Sequence, residues 1–247
     1  MIDQFMSRRS LVTGALTAAA VASVAPAAAQ RRSAAAPFTP APTRNGRSTL
    51  TPDQALKLLM DGNAAFLRGA VPAPDLSAAR RLELARGQAP FCAYVSCSDS
   101  RVPPELLFGR GLGELFIVRN AGNTVDTVAR GSIKFAVAEL GVPLVVVMGH
   151  ESCGAVKAAM DVVDKNARFP RGIGEMIEPI IPAVLEVRGA SGNRLENATR
   201  QNVRRITRNL REESSPLITK PLGEGRLRIV GAYYELGTGR VDFFDGV

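Results

Sequence analysis

Tryptophan is absent from this 247-residue chain, tyrosine occurs three times, and the single histidine is His150. Three cysteines, Cys92, Cys97 and Cys153, are too few for a disulfide framework at this length, so each thiol must serve a local purpose. The scarce aromatics do not interleave with the arginines, which are spread over many segments rather than gathered in a stripe. Despite a formal net charge of +8, that pattern argues against nucleic-acid binding and for a basic soluble surface. A bilayer-spanning run is lacking at the N-terminus, where the apolar stretch 11–25 falls short of the ~20 residues required. What remains is ordinary globular composition, 46% apolar and 22% charged, with no internal repeat.

The N-terminus reads as an address. Arg8 and Arg9 precede the Ala-rich run, and Pro26 with Ala27, Ala28 and Ala29 close it before Gln30. A charged start, a short apolar core and small residues before a cut make a secretory signal over 1–29. The paired arginines point to twin-arginine export to the periplasm, with that machinery as a transient partner, and a retained anchor is the weaker reading. Residues 30–49, rich in Ala, Pro and Arg, show no buried face and read as a flexible linker. One domain then covers 50–247.

Thr51-Pro52-Asp53-Gln54 opens a helix, with Leu56, Leu59, Met60 and Phe66 as its apolar stripe and Gly69 as its stop. A second, polar helix is predicted over 77–86, and a third over 127–140, carrying Val128, Ile133, Phe135, Val137 and Leu140. Short apolar runs at 91–96, 115–118, 144–148 and 227–233 read as buried strands, with 241–244 as an edge strand. Residues 173–210 are helical, and Arg194, Arg200, Arg204, Arg205, Arg208 and Arg211 read as a solvated face. Continuous apolar strands alternating with helices predict an α/β fold with a mostly parallel sheet covered on both sides. The polar clusters all follow strand ends, where such sheets place ligands.

His150-Glu151-Ser152-Cys153 sets an imidazole and a thiol three apart after one strand, and Cys97 ends another. Two cysteines and one histidine suit zinc and leave a tetrahedral site one ligand short, the mark of a catalytic site. Spacing alone leaves inert packing open as well. A phosphatase loop needs Arg six residues after its Cys, and position 159 is Ala159. A thiol protease would have to draw every histidine role from His150.

Cys97-Ser98-Asp99-Ser100-Arg101-Val102-Pro103, Gly113-Glu114-Leu115-Phe116, Arg119-Asn120-Ala121-Gly122-Asn123 and Gly149-His150-Glu151-Ser152-Cys153-Gly154 resemble the β-carbonic anhydrase family motif by motif. The similarity runs from Leu59-Met60-Asp61-Gly62-Asn63 to Gly231-Ala232-Tyr233-Tyr234. It implies one zinc ion per chain on Cys97, His150 and Cys153, with an Asp99–Arg101 dyad orienting the nucleophile. The implied reaction is reversible hydration of CO2 to bicarbonate and a proton by zinc-hydroxide attack. Gln88, Phe116, Phe135 (where plant relatives look to have Tyr) and Gly154 match substrate-pocket positions, and a homodimer or homotetramer is implied. In this family the Asp can replace water as fourth ligand. Members regulated that way carry Trp three residues before the first ligand Cys and Gly one before it. Tyr94 and Ser96 stand there, which favours water over Asp99. Because His150 is committed to metal, Asp99, other acids or buffer must carry the proton. CS2 or carbonyl sulfide hydrolysis on the same scaffold is a rival reading. So is non-catalytic bicarbonate or zinc binding, although storage needs no dyad.

Overall fold

The polar motifs meet because the strands before them run parallel. The computed structural model describes residues 37–247, so the export signal and the first part of the expected linker lie outside the described residues. Two short strands, β1 (Thr43–Arg44) and β2 (Arg47–Ser48), precede helix α1 (Pro52–Leu67) and α2 (Ala78–Leu84). Then come β3 (Cys92–Ser96), α3 (Pro104–Phe108), β4 (Leu115–Arg119), a 3-10 turn at Ala121–Asn123, α4 (Thr127–Ala138), β5 (Leu144–His150) and α5 (Gly154–Lys165). Helices α6 (Arg171–Ile177), α7 (Ile181–Glu186), α8 (Arg194–Arg211) and α9 (Pro216–Gly223) lead to β6 (Arg228–Tyr234) and β7 (Val241–Asp245).

The main sheet has the order β4-β3-β5-β6-β7, parallel except for the antiparallel edge strand β7. This is the predicted α/β architecture. Strands β3 and β5 are buried at every position, as strands covered on both faces must be. Side-chain alternation sends Cys92 and Tyr94 into a core shared with α1, α3 and α5. Ala93 and Val95 enter a second core with α4, α8 and α9. Cys92 is a free buried thiol, as expected.

Helix α1 starts where its sequence says. Thr51 accepts from the Gln54 N–H while the Gln54 side chain accepts from the Thr51 N–H. Gly62 lets α3 approach, since a Cβ there would sit 2.1 Å from the Phe108 carbonyl oxygen. Near the cluster, Gly149 does the same for α8: a Cβ would lie 2.6 Å from Thr199 Cγ2.

Three expectations are corrected. The second half of the supposed linker is folded onto the domain: Ala41 is buried, its N–H donates to Glu114 Oε1 at 2.6 Å, and Phe38 lies against the Arg110 guanidinium. Asn45 and Gly46, with φ of 51° and 72°, form the tight turn between β1 and β2. Met60, Val128 and Phe135, read as apolar-stripe residues, are exposed, because α1 and α4 bury narrower stripes. The α8 arginines are not simply solvated. Arg194 pairs with Asp164, Arg200 with Glu196 and Asp242, Arg205 with Glu186, and Arg211 with Asp245. No helix among the described residues is long and apolar enough to cross a membrane.

Candidate metal centre

Strands β3 and β5 pair with Ser96 opposite Met148, so Cys97 leaves the sheet level with the end of β5. His150 is the last residue of β5. The chain then reverses through Ser152, whose φ is 56°, and Cys153 becomes the residue preceding α5. All three side chains are buried, and their ligand atoms lie within 4.8 Å of one another. A tetrahedron with bonds of 2.0–2.3 Å has edges of roughly 3.5–3.8 Å, so small adjustments would close these atoms on one ion.

Donor chemistry fits as well. His150 Nδ1 lies 2.8 Å from the Glu151 carbonyl oxygen, which can only accept, so the proton sits on Nδ1 and Nε2 keeps its lone pair. Nε2 is buried and, among the described residues, has no hydrogen-bond partner. Cys97 Sγ accepts from the Gly122 N–H at 3.3 Å. The Cys153 thiol beside it holds Cys97 well below the ordinary thiol range, and the same contact pushes Cys153 well above it. A divalent cation binds cysteine as thiolate, so its capture here would release thiol protons.

Asp99 sits on the cluster's rim. Its Oδ2 is 3.9 Å from His150 Nε2. Arg101 donates to the carboxylate through Nε at 2.9 Å and Nη2 at 2.7 Å, and its N–H adds a third bond at 3.0 Å. Those bonds hold the Asp99 carboxyl far below its usual range despite partial burial.

A family model described as carbonic anhydrase matches residues 92–241. The chain belongs to the carbonic anhydrase family. It is 40% identical over 192 residues to the carbonic anhydrase of Mycolicibacterium smegmatis, covering 77% of this chain and 92% of that one. Carbonic anhydrase 2 of Mycobacterium tuberculosis is 38% identical over 197 residues, 79% of this chain and 94% of the relative. Among solved structures, a tetrameric β-carbonic anhydrase of Sordaria macrospora superposes with a TM-score of 0.61 at 27% identity, covering 66% of this chain and 85% of that one. The β-class resemblance read from the motifs is borne out.

The remaining pocket expectations fare differently within one chain. Gly154 opens α5 beside Cys153, and a Cβ there would meet nothing within 4 Å. Gln88 is exposed before β3, at the opposite end of that strand from Cys97, a separation on the order of 15–20 Å. Phe116 pairs with Ala93 on the edge strand, and its ring packs 6.2 Å from that of Phe135 on α4. Within one chain Gln88, before β3, and Phe116, the second residue of β4, lie toward the strand starts, whereas the ligands follow the strand ends; Phe135 packs on Phe116. Two contributors escaped the sequence reading, Arg119 and Glu151. Arg119 bonds the carbonyls of Cys97 and Asp99. The Glu151 carboxylate anchors the Leu236 and Gly237 N–H groups. Both lie inside quoted motifs, but contacts to backbone groups leave no periodicity to read.

Proposed function

We propose that this chain is a zinc-dependent carbonic anhydrase catalysing CO2 + H2O ⇌ HCO3− + H+. The observation that carries the reading is the buried His150 Nε2, unpartnered among the described residues, grouped with two cysteine sulfurs beside an Arg-held carboxylate. Cys97, His150 and Cys153 would hold the ion, which supplies the Lewis acidity that turns water into a nucleophile at neutral pH. Asp99 accepts a hydrogen bond from the attacking water, fixing its orientation. Arg101 keeps that carboxylate ionised and turned toward itself, which favours Asp99 as acceptor over Asp99 as fourth ligand. The Glu151 carbonyl holds the His150 ring in the tautomer that presents Nε2. No second histidine exists to relay the proton, so turnover should rise with buffer concentration.

In the same reading the protein is exported to the periplasm and works as a homodimer or homotetramer. In this reading a second copy brings Gln88, Phe116 and Phe135, two of which lie toward the strand starts in one chain, to the cluster. Export unchanged after Arg8→Lys with Arg9→Lys would remove the twin-arginine assignment. The function is tested by measuring CO2 hydration with and without chelation, beside Cys97→Ala, with CS2 and carbonyl sulfide as alternative substrates. Activity on CO2 that is lost on chelation and absent in Cys97→Ala is expected; zinc uptake without turnover would favour storage.

A further inference from the structure

The loop carrying Cys97 and Asp99 is tied to the neighbouring strand by one side chain. Arg119, the last residue of β4, lies opposite Ser96 in the parallel ladder. Its guanidinium reaches past the strand end, where Nε donates to the Cys97 carbonyl at 2.9 Å and Nη2 to the Asp99 carbonyl at 2.5 Å. These carbonyls flank Ser98, so one planar group spans the segment bearing a ligand sulfur and the rim carboxylate. Strand pairing does not fix that segment, because β3 ends at Ser96. The Asp99 carbonyl also accepts from the Val102 N–H at 3.2 Å, but that bond is internal to the loop. Gly122 and Arg101 act on side-chain atoms instead.

We propose that Arg119 is a positioning residue that fixes the main chain of 97–99 and so sets Cys97 Sγ against His150 and Cys153 for metal capture. The task suits arginine. Its rigid fork serves two acceptors at once, whereas a lysine ammonium is a point donor on a flexible stem. The two arginines divide the work: Arg101 holds the Asp99 carboxylate and Arg119 holds the backbone beneath it.

This inference rests on the zinc reading, and its test separates the two. Zinc Kd is measured by competition with a chromophoric chelator for wild type, Arg119→Lys and Arg119→Met, together with the thermal midpoint of each zinc-free protein. For Arg119→Met a Kd raised about 10–100-fold is expected, as for loss of other groups that orient metal ligands. Arg119→Lys should fall between it and wild type, and zinc-free midpoints should stay close to wild type. Wild-type Kd values in both variants overturn the inference. So does failure of both to fold, or a lowered zinc-free midpoint with unchanged Kd, each of which assigns Arg119 to the fold. A wild-type chain that takes up no zinc overturns the zinc reading and this inference with it, a result distinct from the others.

Discussion

Asn63 and His150 are both buried polar side chains, and they are finished differently. Asn63, on α1, donates to the carbonyls of Leu107 and Gly239 and accepts from the Val241 N–H at 2.9 Å. Each of its polar atoms has a partner, so it pegs α1 to α3 and to the turn before β7. His150 pairs only Nδ1, and its Nε2 faces two sulfurs with nothing bound to it among the described residues. An unsatisfied buried polar atom costs about 1–3 kcal/mol. A saturated group of this kind serves the structure, whereas an unfinished one beside other donors awaits a ligand.

Substitutions on either side of that contrast should separate metal binding from stability. The largest effect belongs to His150→Ala, which removes the unfinished donor. Stoichiometric zinc by elemental analysis and CO2 hydration above the buffer blank should both vanish. Asp99→Asn should retain zinc yet lose roughly 100-fold or more in turnover, the scale of a positioned proton acceptor. Equal loss of zinc in that variant would make Asp99 a ligand. Asn63→Ala should do the reverse of His150→Ala. It should lower unfolding free energy by about 2–3 kcal/mol in urea, through buried groups left unpaired, while zinc Kd of the folded protein stays unchanged.

The smallest effect is a pH dependence at the sheet edge. Burial works against ionisation of Asp245, but hydrogen bonds from Thr207 and Arg211 outweigh it and leave the carboxyl below its ordinary value. Its stabilisation is therefore complete above the unfolded value of about 3.9 and is lost as pH falls through the lower folded value. In zinc-free protein, the difference in urea midpoint between wild type and Asp245→Asn should shrink between pH 5 and pH 3.

Much of this was legible in the chain. Caps marked the start of α1, continuous apolar runs marked β3 and β5, and the ligand residues followed strand ends as parallel sheets require. The β1–β2 turn was missed: Asn45-Gly46 is a strong turn signal, but the surrounding Ala and Pro content made the segment read as linker. What could not be read was pairing at a distance. Arg205 meets Glu186 and Arg200 meets Asp242 only after α8 has packed, so their charges looked merely solvated. Gln88, Phe116 and Phe135 matched family pocket positions, but where each lies relative to Cys97 depends on the packing of the sheet and of α4.

The central claim, that the unfinished cluster at the strand ends is a catalytic zinc site, is tested most directly by one titration. Zinc is removed by chelation and returned stepwise while CO2 hydration is followed. Activity should fall to the uncatalysed rate and recover in proportion to zinc, saturating near one ion per chain. Turnover that persists in fully zinc-depleted protein would contradict the account.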